Sequence, residues 1–389
     1  MPKINIFSNF ALIGEDLDLK QEVTLEIDEN GNILDMSYKN PEKSINVSNN
    51  DQCYLLLPGF INSHTHIGDN FAKESGFNKE LTDVVAPPFG IKHNLLRQTS
   101  EDIIIKGIKK AVLEMISNGT TCFIDFREGG VEGIYLLKKV IELSPINCLI
   151  FGRFMDDTEI ESIFELADGI GLVSYKQIST NNKKFVNESK NYFKKIIACH
   201  CAEKNRDLKL IDDMFNDNLV DVIIHGTKFI NEDLIRIKDE KKSLVLCPRC
   251  NGYFGVGFPP IPEILQLGIP ISLGTDNLMA NNSDLFEEMR YLYRITRVLS
   301  NYDKRIKLTS KELLKMVTIN AAKNFNLESK YGSISKGKSA DLFLVNLKDP
   351  NLYINNLNDN NIYNIIVQRT KSENIKRTYI KGELVFERK

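Results

Sequence analysis

LPGFINSHTHIGDN, residues 57–70, places two histidines, His64 and His66, directly after a run of apolar residues. The chain has only five histidines, so a pair separated by one residue calls for an explanation. Residues two apart on a β-strand point to the same side. The stretch therefore predicts a strand that presents two imidazoles to one place, although the pair alone does not separate a metal site from two incidental histidines.

Seven further segments share the short, apolar character of this stretch, and segments with helical periodicity separate them. Continuous apolar strands that alternate with helices indicate a parallel sheet buried on both faces. Eight such units predict the α/β class and a closed (β/α)8 TIM-like barrel. The predicted strands are LLLPGFINSH (55–64), TTCFIDF (120–126), NCLIFGRF (147–154), GIGLVSY (169–175), KKIIACH (194–200), VDVIIHG (220–226), SLVLCPR (243–249) and PISLGTD (270–276).

The segments between these strands carry helical signals. In EDIIIKGIKKAVLEMISNG (101–119), apolar residues recur at intervals of three and four, and the pattern ends on Gly119. After the last strand, KELLKMVTINAAKNF (311–325) predicts one further amphipathic helix.

Both ends of the chain consist of short β-like stretches with turn signals between them. Lys381-Gly382 has the composition of a hairpin turn. We expect the two ends to pair into one small β-sandwich domain, formed by residues 1–57 with 333–389, beside a barrel of residues 58–332. The stretches are INIFSNFALI (4–13), EVTLEID (22–28), NILDMSY (32–38), ADLFLVNL (340–347), NIYNIIVQ (361–368) and KRTYIKGELVFE (376–387).

The overall composition narrows the function classes. Fifty basic and 52 acidic residues give a net charge of −2, so nothing points to nucleic acid or to an anionic membrane as a partner. The N-terminus lacks the pattern of a signal peptide, and no apolar stretch of about 18 residues occurs. We therefore expect a cytoplasmic protein that acts on a small molecule. Barrels of this size commonly self-associate, and a homo-oligomer stays open.

The seven cysteines lie mostly inside apolar runs and are expected to be buried, reduced thiols. Two close pairs, Cys199/Cys201 and Cys247/Cys250, raise the alternative of a four-thiolate zinc site. Structural zinc knuckles carry both pairs on short turns, whereas Cys199 ends a strand-like run, so this alternative is disfavoured.

The remaining histidines decide how the first pair is interpreted. His200 ends the fifth predicted strand, His225 ends the sixth, and Asp276 ends the eighth. The carboxyl ends of barrel strands converge on one face, which is where such barrels carry their active sites. Three imidazoles and one carboxylate suit Zn²⁺ or Fe²⁺, with one position left for water. We therefore predict one divalent metal ion, zinc in first place and iron as the alternative.

These residues belong to motifs that resemble the amidohydrolase superfamily, and more narrowly its mononuclear deaminase branch. That branch holds cytosine deaminase, guanine deaminase, the S-adenosylhomocysteine/methylthioadenosine deaminases and imidazolonepropionase. The resemblance spans nearly the whole chain and is specific for the superfamily rather than for a substrate. The motifs are Gly59-Phe60-Ile61-Asn62-Ser63-His64-Thr65-His66, His200-x-x-Glu203, His225-Gly226, Cys247-Pro248-Arg249-Cys250-Asn251, Gly274-Thr275-Asp276, Gly332-Ser333-Ile334 and Gly337-Lys338-Ser339-Ala340-Asp341-Leu342.

The chemistry of the residues suggests a role for each. A bound divalent ion lowers the pKa of water, and Asp276 can accept the proton that this water loses. Glu203 lies three residues after His200 and could pass a proton to a ring nitrogen of the substrate. His225 could polarise the same centre. The resemblance implies the same catalytic roles for Glu203, His225 and Asp276, with His64, His66, His200 and Asp276 as the metal ligands.

A two-metal alternative has to be kept open. Superfamily members with two metals carry a carbamylated lysine at the end of the fourth strand, and Lys176 lies close to that position. His225 would then become a ligand, and the chemistry would shift towards amide or lactam hydrolysis. The His-x-x-Glu pattern that ends at Glu203 favours one metal.

Six cationic or imidazole side chains fall at predicted strand ends or in early loops. Together they predict a pocket for a substrate with a carboxylate or a phosphate. Nucleoside deaminases of the branch that the chain resembles usually carry a Trp-Leu segment in the long loop after strand 1 and a histidine near strand 4. This chain has no Trp and no histidine between residues 93 and 200, so the resemblance does not extend to an adenosine-type nucleoside substrate. The six are Lys92, His93, Arg127, Arg153, Lys176 and Arg249.

Three functions follow from these patterns. The leading hypothesis is a metal-dependent hydrolase of C–N bonds other than peptide bonds, which deaminates an aminated heterocycle and releases ammonia. The nearest alternative is a ring-opening cyclic amide hydrolase, which releases no ammonia. A non-catalytic barrel is the third hypothesis, but it would have no physical need for a preorganised metal shell.

Overall fold

The computed structural model describes residues 4–41, 45–46, 53–301, 303, 305–354, 356–358 and 361–388. The strands are β1 (Ile4–Ile13), β2 (Asp18–Ile27), β3 (Ile33–Lys39), β4 (Ile45–Asn46), β5 (Tyr54–Pro58), β6 (Phe60–His66), β7 (Thr120–Arg127), β8 (Asn147–Gly152), β9 (Gly169–Leu172), β10 (Ile196–Cys201), β11 (Val222–His225), β12 (Ser243–Leu246), β13 (Ile271–Leu273), β14 (Asp276–Asn277), β15 (Leu342–Asn346), β16 (Asn356–Leu357), β17 (Ile375–Ile380) and β18 (Glu383–Glu387).

The α-helices fall mainly between the central strands. They are α1 (Leu81–Val85), α2 (Ile91–Gln98), α3 (Glu101–Ser117), α4 (Gly130–Ile141), α5 (Ile160–Leu166), α6 (Lys183–Phe193), α7 (Leu208–Asp217), α8 (Asn231–Asp239), α9 (Pro248–Tyr253), α10 (Ile261–Leu267), α11 (Leu285–Leu299), α12 (Ser310–Met316), α13 (Ile319–Asn324) and α14 (Ile362–Arg369). No helix within these described ranges is long and apolar enough to cross a membrane.

The central sheet is a closed parallel barrel. Strands β6 to β13 follow one another as parallel neighbours, and β14 pairs with β6. Because only residues 274–275 separate β13 from β14, these two short strands are one interrupted eighth strand that returns to the first. Every residue of β6 and β7 is buried, as expected for strands covered on both faces. The prediction of a (β/α)8 barrel is confirmed.

The first predicted strand is divided between two sheets. Residues up to Pro58 pair with β15, whereas Phe60 begins the barrel by donating to the carbonyl of Gly119 at 2.9 Å. Gly59 makes this switch possible, because a Cβ atom there would lie 2.1 Å from Oγ1 of Thr121. An apolar run predicts burial but does not show which sheet receives each half.

The chain ends form a seven-stranded mixed sheet in the order β18-β17-β15-β5-β1-β2-β3, and β4 pairs separately with β16. This separate sheet from both ends agrees with the predicted small domain, whereas the limits 1–57 with 333–389 and 58–332 stay predictions. The predicted hairpin turn is confirmed: Lys381 and Gly382 join two antiparallel strands and have positive φ angles.

Two elements differ from expectation. NIYNIIVQ forms helix α14 instead of a strand, because Ile362, Tyr363, Ile366 and Val367 share a helical face that is buried. KELLKMVTINAAKNF forms two helices, α12 and α13, instead of one. The break lies at Val317, whose carbonyl accepts a hydrogen bond from the barrel strand β6 at 2.8 Å.

We predict that Gly59→Ala lowers the free energy of unfolding by about 1–3 kcal/mol, since the added methyl group overpacks against Thr121. Thermal or urea unfolding measures the loss. Thr121→Ala in the same background should restore part of it, because it removes the two closest atoms. Unchanged stability of Gly59→Ala would mean that the junction between the sheets can shift freely.

Candidate functional site

The predicted metal ligands meet at the carboxyl ends of the barrel strands. His64 Nε2 lies 3.3 Å from Asp276 Oδ1, and His66 Nε2 lies 3.5 Å from the same oxygen. His200 Nε2 lies 3.2 Å from His64 Nε2. His64, His66 and Asp276 are buried, and His200 is partly buried. Four side chains from three separated parts of the sequence therefore direct their donor atoms into one place.

The outer nitrogens of two of these imidazoles are occupied by backbone carbonyls. His66 Nδ1 lies 3.0 Å from the oxygen of Phe126, and His200 Nδ1 lies 2.7 Å from that of Leu172. A carbonyl only accepts, so each Nδ1 carries the hydrogen and each Nε2 keeps its lone pair for the centre. Burial lowers the pKa of His64, His66 and His200, that of His66 to about 3, which keeps the rings neutral.

This donor set fits a divalent metal ion. The nitrogens of His64, His66 and His200 lie within 4.8 Å of one another, as do the donor atoms of His64, His225 and Asp276. Lone pairs that face each other repel unless a cation lies between them. Neutral imidazoles with one carboxylate are ligands of Zn²⁺ and Fe²⁺.

A carboxylate lies behind the metal ligands. Glu128 Oε1 lies 2.7 Å from His66 Nδ1 and also contacts the ammonium of Lys92. Burial opposes ionisation, yet Lys92 and His66 together hold the pKa of Glu128 well below its usual range. Such carboxylate–histidine contacts fix the ring orientation of a metal ligand.

The other two predicted catalytic residues, Glu203 and His225, face the same centre. His225 Nε2 lies 3.5 Å from Glu203 Oε1 and 3.9 Å from Asp276 Oδ2. His225 Nδ1 lies 3.1 Å from Oδ1 of Asn251, whose amide nitrogen donates to Thr227 at 3.2 Å. Asn251 therefore accepts from Nδ1 of His225 and leaves Nε2 to face the centre. Burial raises the pKa of Glu203, as suits a carboxyl group that carries a proton for part of a reaction.

A cavity of about 60 Å³ lies over these side chains. Two apolar residues, Val85 of α1 and Val173 after β9, form part of its wall. Ligand sites commonly measure about 300–1,000 Å³, so this one is narrow. The lining residues are His66, Val85, Lys92, Arg153, Val173, His200, Glu203, His225, Asp276 and Asn277.

Two of the six predicted substrate contacts line this cavity. Lys92 is buried and donates to Oδ1 of Asn277 at 2.9 Å, in addition to its contact with Glu128. Arg153 is buried just after β8.

Two other predicted contacts are buried beside the site without reaching the cavity. His93 Nε2 lies 3.1 Å from the carbonyl of Val85, so its ring holds α1 against α2. Arg127 donates to Glu128 Oε2 at 3.0 Å. His93 is thus already hydrogen-bonded to Val85, and Arg127 is already hydrogen-bonded to Glu128.

The last two predicted contacts lie further out. The Lys176 side chain is 71% exposed and lies 3.4 Å from Asp207 Oδ2. Arg249 Nε lies 2.7 Å from Glu288 Oε1. The structure does not bring either residue to the cavity. Lys176 therefore lies away from the place where a lysine bridging two metal ions would be needed.

The sequence argument missed Asn277 as a site residue. Its amide nitrogen donates to Asp276 Oδ1 at 3.0 Å, while its oxygen accepts from Lys92. It thus couples the metal-binding carboxylate to a buried cation. Its position directly after Asp276 was the available signal.

All seven cysteines are free thiols, and six of them are buried. None belongs to the groups of close potential metal ligands found in the described part of the chain. The four-thiolate alternative therefore has no support in the geometry, and the expectation of reduced thiols is confirmed.

Comparison with known proteins identifies the family of this chain. The model of the amidohydrolase family matches residues 55–385, so the chain belongs to this family. A protein of Methanothermobacter thermautotrophicus, provisionally named an aminohydrolase, is 32% identical over 353 residues, which cover 85% of this chain and 86% of that one. The 5-methylthioadenosine/S-adenosylhomocysteine deaminase of Pyrococcus furiosus is 25% identical over 370 residues, covering 86% and 84%.

Solved structures share the fold. The crystal structure of an adenosine deaminase from Xanthomonas campestris with bound zinc superimposes with a TM-score of 0.79 at 16% identity, covering 98% of this chain and 92% of that one. At this identity the similarity establishes the architecture alone.

We predict that wild-type protein holds about one divalent ion per chain and that His200→Ala loses most of it, because one donor of a compact set is removed. Elemental mass spectrometry after dialysis measures the content. His93→Ala is the matched control, since that histidine is buried but lies off the cavity. Equal metal loss in both variants would contradict the assignment.

We predict that Glu128→Gln weakens metal affinity by about 10–100-fold, because His66 loses the charged partner that orients its ring. Competition with a chromophoric chelator measures the affinity. Glu132→Gln, on the exposed face of α4, is the control. Unchanged affinity in Glu128→Gln would show that the Phe126 carbonyl suffices to orient the ring.

Proposed function

We propose that this protein is a metal-dependent hydrolase that removes the amino group of an aminated heterocycle and releases ammonia. The observation that carries the proposal is the position of Glu203 and His225 on the same small cavity as the metal-binding residues. A carboxyl group and an imidazole placed beside a metal-binding set are suited to proton transfer during hydrolysis. The relatives named as deaminases agree with this class of reaction.

The metal site consists of His64, His66, His200 and Asp276. When bound, a divalent ion supplies hydroxide near neutral pH, because it lowers the pKa of water. We infer a single ion, since Lys176 is exposed and paired with Asp207. Neutral imidazoles with one carboxylate favour zinc, and iron is the second choice.

The chain's own residues divide the proton transfers between them. Asp276 accepts a proton from the attacking water. Glu203 delivers a proton to the ring nitrogen next to the carbon that carries the amino group, which makes that carbon more electrophilic. His225, whose Nδ1 donates to Asn251, accepts a hydrogen bond from the attacking water at Nε2 and orients this water towards the carbon. The C–N bond then breaks: Asp276 returns its proton to the amino group, which leaves as ammonia, and Glu203 takes the proton of the new hydroxyl group as the ring C=O bond forms.

The substrate is a small molecule, and no nucleic acid or membrane partner enters the proposal. Cytoplasmic location and homo-oligomerisation stay predictions. Ring-opening hydrolysis uses the same residues but leaves no free ammonia, so the product distinguishes the two reactions.

We predict ammonia release from at least one member of a panel of aminated pyrimidines, purines and pterins, assayed with zinc-loaded and with iron-loaded protein. Glu203→Gln should lower kcat by about 10²–10⁴-fold, because it removes a general acid and base. Its metal content should equal that of wild type, since Glu203 is outside the predicted ligand set. A panel that yields ring-opened products instead would overturn the deaminase proposal.

A further inference from the structure

Arg153 is a buried cation for which the described part of the protein supplies no counter-ion. Arg153 is 6% exposed and lines the cavity of the candidate site. Within the described ranges, its guanidinium makes no hydrogen bond or ion pair, and its Nε atom is enclosed without a partner. Arg127 and Arg249, by contrast, each lie within 3.0 Å of a carboxylate oxygen.

Three carboxylates lie close enough for their charge to act on Arg153, those of Glu128, Asp125 and Asp276, and all three are already engaged by other groups. Asp125 accepts from the backbone of Ile67 at 2.6 Å and lies 3.6 Å from Arg127. Glu128 contacts His66, Lys92 and Arg127. Asp276 belongs to the metal-binding set. Leaving a buried arginine unpaired is costly, because the guanidinium cannot lose its proton and its desolvation is uncompensated. The missing partner has to be something that enters the cavity.

The metal site sharpens this requirement. A divalent ion and a guanidinium that face one small cavity repel each other, and the repulsion is strong where water is scarce. An anionic group bound at Arg153 would relieve it. Lys92 does not need such a group, because it is held by Glu128, Asp69 and Asn277. Of these two cations, Arg153 is therefore the one without a carboxylate partner among the described residues.

We infer that the substrate is a small, single-ring aminated heterocycle with a carboxylate attached directly to the ring, and that Arg153 binds this carboxylate. The inference rests on the proposed deaminase function. A carboxylate is favoured over a phosphate because it is planar, matches the guanidinium fork and needs less room in a cavity of about 60 Å³. Attachment directly to the ring follows because Arg153 shares this narrow cavity with Glu203 and Asp276.

Matched pairs of compounds test the inference. Ammonia release is measured for cytosine and cytosine-5-carboxylate, and for 4-aminopyrimidine and 4-aminopyrimidine-5-carboxylate. Cytidine 5′-monophosphate represents a phosphate-bearing nucleotide. We expect kcat/KM to favour the carboxylates over their parents on the order of 100-fold or more, because an absent carboxylate leaves Arg153 unpaired.

Variants at position 153 test whether Arg153 causes the preference for carboxylates over their neutral parents. Arg153→Met should bring the kcat/KM of each carboxylate close to that of its neutral parent measured in the same variant, mainly through a higher KM for the carboxylate. Arg153→Lys, which keeps the charge but not the fork, should retain part of the preference. Metal content and Tm of both variants show whether they fold. An equal preference in wild type and Arg153→Met, or a clear preference for the phosphate compound, would overturn the inference.

A binding experiment separates this inference from the deaminase proposal. Pyrimidine-5-carboxylate, which has no amino group to lose, should raise the Tm of wild type and of Glu203→Gln but not that of Arg153→Met. If no compound yields ammonia but this stabilisation occurs, the deaminase proposal fails and the anion site stands. If ammonia is released from neutral rings and the carboxylate does not bind, the anion site fails and the deaminase proposal stands.

Discussion

The parallel pairing of β14 with β6 is the constraint on which the site depends. It places Asp276 opposite Thr65, and so beside the imidazoles of the histidine pair. Two hydrogen bonds between Asn62 and Thr275, of 2.8 and 3.0 Å, fix the same register. A slip of one residue would turn the carboxylate to the opposite face of the strand. Closing the barrel and bringing the predicted metal ligands together are therefore one structural event.

The barrel strands could be predicted because strands that are buried on both faces have continuous apolar sequences. An apolar run between two amphipathic helices predicts a barrel strand. Residues at its carboxyl end are then expected on the face of the barrel where the carboxyl ends of all the strands meet. The failures occurred where a local pattern is compatible with two partners. NIYNIIVQ suits a strand or a helix, and only packing against α12 and α11 decides for the helix. The interruption at Val317 likewise depends on a hydrogen bond from β6.

The residues that meet at the carboxyl ends of the strands could be predicted from the sequence, whereas the sequence does not show which of the surrounding cations have carboxylate partners. A ligand is identified by its position at a strand end, which the strand pattern gives. Whether a cation has a carboxylate partner depends on side chains from other elements. Asp207 lies beside Lys176, and Glu288 lies beside Arg249. No spacing rule connects these partners. Only in the folded chain does Arg153 stand apart from the neutralised cations.

Backbone strain is concentrated at two residues of this site. His225 and Asp276 have φ angles of +73° and +60°, in a region that disfavours residues with a Cβ atom. Such strain costs about 1–3 kcal/mol per residue and persists only where contacts with the surrounding structure hold the residue in that conformation. Here the ring of His225 is held by Asn251, and the backbone of Asp276 is held by its pairing with Thr65. His225 is the last residue of β11 and Asp276 is the first residue of β14, and both line the cavity, so the stability of the barrel is what holds their side chains there.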